Sequence, residues 1–222
     1  GSEMCIRDSY LTARARLQSR QVATLRMRHQ ENNEHNFVIR KYLILKNHIS
    51  MYSKKVEDAI NAQINAEFWS AYLYLSMSMH FANKGYSGIA NWFAIQFKEE
   101  QDHATIFMNY VNSRDGKVLL APIDAVETEW ESPLAAFEAT LAHEKKVTAM
   151  INGIYATAVE EQDYATQSML QWFINEQVEE EETAREYIDA LKKIGDNGYG
   201  LYMFDKELAA RVYNTPAPLA KA

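Results

Sequence analysis

Apolar residues recurring every three to four positions fill four long blocks of this chain, and that pattern admits little besides long helices. The first block covers about 54–82 on Val56, Ile60, Ile64, Phe68, Ala71, Leu75 and Met79. The second covers about 88–114 on Ile89, Phe93, Phe97, Ala104, Phe107 and Val111. The third, 133–161, runs on Phe137, Leu141, Thr148, Ile151, Tyr155 and Ala158, and the fourth, 164–194, on Met169, Phe173, Ala184, Tyr187 and Leu191. Punctuation supports the same division. Asn83 to Gly88, Asp115-Gly116 and Gln162-Asp163 are turn signals, and Ser132-Pro133 reads as an N-cap followed by proline at the first helical position. Only 8 Gly and 4 Pro in 222 residues leave too few turns for a β-sandwich or barrel.

At 1.5 Å per residue each block spans about 40 Å. Short turns near 83–87 and 162–163 make two antiparallel hairpins, while 117–131 carry Pro122 and no helical period and are long enough to run the length of a bundle. The expected architecture is all-α: a four-helix bundle with one long crossover. Gly195, Gly198 and Gly200 are expected to stop the fourth helix, with a short amphipathic fifth over 205–212 and a frayed tail over 214–222.

Charge divides the chain at Met51. Residues 1–50 carry nine Lys/Arg against four Asp/Glu, and 51–222 carry fourteen against twenty-six; the nets of +5 and −12 sum to the −7 of the whole. Arg14, Arg16, Arg20, Arg26 and Arg28 recur without a durable apolar stripe, and the opening Gly-Ser resembles the scar of a cleaved tag. Residues 1–50 are therefore read as a non-native or upstream basic extension, disordered, with the folded domain over 51–213. A genuine arginine-rich targeting arm is the competing reading. Cys5 is the one cysteine, which excludes an intramolecular disulfide and any multi-cysteine zinc or iron–sulfur site. No uncharged apolar run is long enough to span a membrane, and the acidic balance disfavours nucleic acid while suiting cations. The absence of a signal-peptide pattern after Met51 sets the expected compartment as cytoplasmic.

Polar residues interrupt every apolar stripe. They are Glu67 in the first, Glu100 and His103 in the second, Glu144 in the third, and Gln177 and Glu180 in the fourth. A carboxylate facing a core is costly unless paired or metal-bound. Glu67 to Glu100 and Glu144 to Gln177 are both 33 residues, and Glu67 to His103 and Glu144 to Glu180 are both 36. The midpoint of 67 and 103 is 85, and that of 144 and 180 is 162, so each pair straddles its hairpin turn. Matching heights would put all six side chains in one layer. Glu100 and His103, three apart, share a helix face. Carboxylates with an imidazole and no thiolate select a hard or borderline ion such as iron or manganese, and four carboxylates neutralise two divalent ions.

At these residues the chain resembles the bacterial non-haem ferritins. The likeness is carried by Asn65-Ala66-Glu67 through Tyr74, Lys98 to His103, Glu144, Gln171 to Glu181, Gly200-Leu201-Tyr202 and Asp205 to Leu208, and it extends over roughly 52–213. The resemblance implies a ferritin-like bundle with a two-iron ferroxidase centre. One iron would be held by Glu67, Glu100 and His103, the other by Glu100, Glu144 and Glu180, with Glu100 bridging. Gln177 stands where relatives that retain their metals carry a second bridging acid, which implies a loosely held second iron. A third iron position would draw on Glu99, Glu176 and Glu179, and Tyr74 would hydrogen-bond a ligand or donate an electron.

The implied function is oxidation of Fe(II) by O2 or H2O2 and storage of Fe(III) as a mineral, without haem. Self-assembly into a hollow shell of twenty-four subunits is also implied. Trp69, Tyr72 and Trp92 are candidates for the subunit interfaces, although taken singly each reads more readily as ordinary core or scattered surface. The alternatives are a di-iron oxidase or peroxidase-like enzyme and a non-catalytic, cation-binding structural shell.

Overall fold

Each long helix begins where a side chain can accept from its first free N–H groups. In this computed structural model, which describes residues 52–220, helix α1 (Lys54–Asn83) follows Ser53, whose hydroxyl accepts from Val56 N at 3.2 Å. Ser132 does the same for Ala135 N at 3.1 Å ahead of α3 (Pro133–Glu160), and Asp163 for Thr166 N at 3.1 Å ahead of α4 (Tyr164–Ile194). Helix α2 (Ser87–Ser113) is capped from far along the chain. Asp205 Oδ1 accepts from Gly88 N and Ile89 N at 2.8 and 2.9 Å. Asn197 caps α5 (Gly198–Leu208), and a 3-10 turn follows at Ala217–Leu219. No strand occurs among the described residues.

Helix α1 packs against α2, α3 against α4, the two hairpins meet through α1 and α3, and α5 lies on α2. The turn between α1 and α2 needs Gly85, at φ +84°, a left-handed conformation that costs a residue with a Cβ dearly. The crossover after α2 runs alongside α1. Asn61 donates to Lys117 O at 3.0 Å and accepts from Leu119 N at 2.7 Å, and further along Ser76 Oγ donates to Glu127 O at 2.7 Å. This is the all-α four-helix bundle with one long crossover and a short fifth helix that the periodicity predicts.

The core is two apolar clusters. One is built from Tyr74, Phe81, Phe93, Phe137 and Leu191 among others, the second from Ile60, Ile64, Phe107, Ile151 and Phe173 among others. On every long helix the polar interruptions lie between these clusters: Glu67 between Ile64 and Tyr74, His103 between Phe93 and Phe107, Glu144 between Phe137 and Ile151, Gln177 between Phe173 and Leu191. The polar layer is therefore sealed at both ends by hydrocarbon.

Three expectations change. The fifth helix starts at Gly198, seven residues before the predicted 205, because Asn197 accepts from Tyr199 N and Gly200 N at 3.1 and 3.0 Å and two glycines are tolerable in a first turn. In the tail Leu219 packs against the Ile60–Phe107 cluster, while Asn214, Thr215, Ala217, Pro218 and Ala220 are exposed. Trp92 is 1% exposed and sits edge-on to Phe93 and Phe137, so it serves the core and no interface, whereas Tyr72 is 51% exposed and Trp69 half-buried. The expectation that residues 1–50 form a disordered extension lies outside the described residues, as do Met51, Lys221 and Ala222.

Candidate metal centre

Two helices supply the first group of donors. Glu67 from α1 and Glu100 and His103 from α2 are all buried, and one ligand-capable atom from each lies within 4.8 Å of the others. His103 Nδ1 is 3.5 Å from Glu100 Oε2, and the ring edge rests on Trp172 and Phe173. Gln63, one turn before Glu67, donates to its Oε1 at 2.8 Å. The other oxygen, Glu67 Oε2, is buried without a hydrogen-bond donor.

The second hairpin supplies the rest. Glu144 of α3 accepts from the Tyr74 hydroxyl of α1 and, at 3.1 Å, from Gln177 Nε2 of α4, which also reaches the Glu144 carbonyl at 3.3 Å. Glu180 Oε2 accepts from Gln96 Nε2 of α2 at 3.0 Å. Glu100 links the hairpins: it lies beside Glu67 within its own, and it feels the charges of Glu144 and Glu180 from the other. Glu67, Glu100 and His103 thus form one tight group, Glu144 and Gln177 bond directly, with Tyr74 against Glu144, and Glu144 and Glu180 reach Glu100 through their charges.

Burial and mutual repulsion act together on these acids. Burial pushes the Glu67 and Glu100 carboxyls well above the usual range, with added repulsion from Glu100 on the first and from Glu144 and Glu180 on the second. Glu180 is raised to about 8 by burial and then by Glu144. The Tyr74 hydroxyl is driven up by burial and by Glu144. A buried acid cluster with an orphaned oxygen and no lysine or arginine among its own members suits divalent cations, which replace protons and satisfy open lone pairs. Oxygen donors with one imidazole fit a hard or borderline ion such as iron.

Glu99, Glu176 and Glu179 lie on the outer side of the layer. They line one cavity of about 320 Å³ together with His103, Glu180 and residues of the C-terminal segment. Glu99 is engaged by Arg211, whose Nη2 lies 2.6 Å from its Oε2. Burial raises both Glu99 and Glu176, with Arg211 opposing the rise at Glu99.

Gln63, Gln96, Thr148 and Arg211 were not among the expected site residues. Thr148 Oγ1 accepts from Gln177 Nε2 at 3.3 Å and donates to Glu181 at 2.8 Å. A signal for the two glutamines is present: each stands four residues before a buried acid, and they are themselves 33 residues apart, the spacing of Glu67 and Glu100. Arg211 has no comparable local signal.

Comparison with known proteins agrees with this geometry. The ferritin-like domain family matches residues 57–194. A "Bacterial non-heme ferritin" of Bacteroides fragilis is 42% identical over 161 residues, which is 72% of this chain and all of the relative. One from Staphylococcus saprophyticus is 41% identical over 164 residues, covering 74% of this chain and 98% of its own. Among solved structures, the open pore ferritin of Archaeoglobus fulgidus is 43% identical with a TM-score of 0.72, over 73% of this chain and 99% of that one. With helix order, crossover and buried carboxylate–histidine group all in place, this chain belongs to the ferritin-like family and is similar along that whole domain to bacterial non-haem ferritins.

Proposed function

We propose that the domain is an iron-storing ferritin with ferroxidase activity, oxidising pairs of Fe(II) ions within each subunit. The observation that carries this is the buried group of Glu67, Glu100 and His103, with the charges of Glu144 and Glu180 acting on Glu100 from the other hairpin, in a layer bounded at both ends by apolar clusters. Glu67, Glu100 and His103 would bind one Fe(II) and Glu100, Glu144 and Glu180 the other, with Glu100 shared. Carboxylate oxygens favour the harder Fe(III), which makes loss of an electron from each ion easier. O2 or H2O2 is the acceptor of both electrons. Gln177 offers an amide where a bridging carboxylate would hold a product pair, so Fe(III) is free to leave and mineralise.

Storage needs an enclosed volume, and we infer self-assembly into a shell of twenty-four copies. Leu119, Leu120 and Ile123 of the crossover and Tyr72 of α1 expose apolar surface that such contacts would cover. Tyr72 and Trp69 remain the interface aromatics of this reading.

Anaerobic Fe(II) loading followed by air tests the site. Ferric absorbance should rise quickly in the wild type and slowly in Glu100→Ala, and equal initial rates would reject the assignment. Size exclusion at low protein concentration tests the shell, and a monomer or dimer peak would reject it.

A further inference from the structure

The segment after α5 folds back over α2 and delivers one cation to the acidic cavity. Asn91 Nδ2 holds its backbone through Leu208 O and Arg211 O at 3.3 and 3.0 Å, and the Tyr213 hydroxyl donates to Asp102 at 2.6 Å. Between these anchors the Arg211 guanidinium lies 4.7 Å above the Trp92 ring, and its Nη1 donates to Trp92 O at 3.3 Å. Its Nη2 donates to Glu99 Oε2 and to Gln96 Oε1, both at 2.6 Å. Asn214, Thr215 and Pro216 continue along the wall of the cavity that Glu99, Glu176 and Glu179 line.

We propose that Arg211 is a resident counter-cation at this outer position, and that Fe(II) binds there only by displacing it from Glu99. Four carboxylates line the cavity, Glu180 from the inner layer among them, and one of the three outer ones already faces a fixed positive charge. An arriving divalent ion loses that carboxylate to the guanidinium and, if it binds beside it, meets repulsion at short range. The contact also reaches the inner pair. Gln96 takes a hydrogen bond from Arg211 through its oxygen and gives one to Glu180 through its nitrogen, so the amide is oriented by the tail and in turn orients a ligand. Occupation of the outer position and docking of the tail therefore oppose each other, and by linkage each weakens the other equally. This rests on the reading of Glu67, Glu100, His103, Glu144 and Glu180 as the inner iron ligands.

The test is an anaerobic equilibrium-dialysis titration of the full chain with Fe(II), counting bound ions per subunit. At a free Fe(II) concentration that just fills the inner pair of the wild type, Arg211→Ala should gain one further ion, through an outer affinity about tenfold or more tighter. Arg211→Lys, which keeps the charge, should stay at the wild-type count. Combining Arg211→Ala with Glu99→Gln should abolish the gain. Glu99→Gln alone should bind as many ions as the wild type at that concentration, a result that leaves Arg211 untouched and does not depend on how the alanine variant folds. Loss of an ion in Glu99→Gln, or no gain in a folded Arg211→Ala, would overturn the proposal. Failure of Glu100→Ala to lose ions would instead count against the inner-site reading, and the Arg211 and Glu99 comparison would still be decided on its own.

Discussion

Gln177 holds Glu144 by two points, its single Nε2 lying 3.1 Å from a carboxylate oxygen and 3.3 Å from the backbone carbonyl of the same residue. That amide ties α4 to α3 at the level of the metal layer and spends its donor on an acid. Replacing it by a carboxylate removes the donor and adds a like charge.

Gln177→Glu is expected to destabilise the metal-free chain, by about 1–3 kcal/mol for the lost bonds and buried charge. With iron the sign reverses at the second position, because a carboxylate can bridge two cations. Retention of the second ion after gel filtration should rise and multiple-turnover oxidation should slow. Unchanged retention would show that the amide does not govern release.

Tyr74 donates to the other side of Glu144, from a fully buried ring stacked on Phe93. Tyr74→Phe keeps the packing and deletes the hydroxyl, so a loss of about 1–3 kcal/mol by chemical denaturation is expected. Oxidation should slow while the number of Fe(II) ions bound without oxygen stays the same. A fall in that number would make Tyr74 a positioning residue for the second ion.

The buried acids give the metal-free domain an inverted pH response. Glu180 titrates at about 8 in the fold against 4.5 for a free glutamate, and Glu67 and Glu100 shift the same way. The folded state therefore holds protons that the unfolded chain has released. Their stabilising contribution is complete below about pH 4.5 and is lost as pH climbs through about 8. Melting temperature without metal should fall between about pH 5 and about pH 8. Fe(II) under nitrogen should flatten the slope and release at least about one proton per subunit at neutral pH, measurable by calorimetry in buffers of different ionisation enthalpy.

Gly88 lets α5 sit on the first turn of α2. A Cβ there would lie 1.6 Å from Asp205 O and 2.9 Å from Ala209 N, backbone atoms that cannot swing aside. Gly88→Ala should cost about 1–3 kcal/mol and speed amide exchange through α5 and Arg211. Gly153→Ala, in open space on α3, is the control and should stabilise by up to about 1 kcal/mol.

What was legible in the sequence was whatever the helical period carries. Glu67, Glu100, His103, Glu144, Gln177 and Glu180 are placed by counting from the turns, and α1 to α4 begin and end within a residue or two of the pattern. The choice between core and interface for Trp92 is open in the sequence because a period assigns a helix two faces, while α2 meets α1 on one side and α5 on another, burying a residue the stripe leaves out. The start of α5 was hidden because glycine is a helix breaker by propensity, and here an asparagine cap outweighs it. Arg211 was illegible for a different reason: its partners Trp92, Gln96 and Glu99 lie on a helix from the opposite end of the domain, and no spacing rule links a coil segment to them.

The equal separations across the two turns have a consequence for how such a chain can change. One residue inserted into α1 between Glu67 and the Gly85 turn would carry the glutamate about 1.5 Å along the axis and about 100° around it. The same slip would turn Val56, Ile60 and Ile64 away from the core, so packing and donor set would fail together. Insertions and deletions are thus better tolerated in the crossover between Leu119 and Glu127 than in the paired helical arms, so the reading frame of each hairpin is itself a determinant of its chemistry.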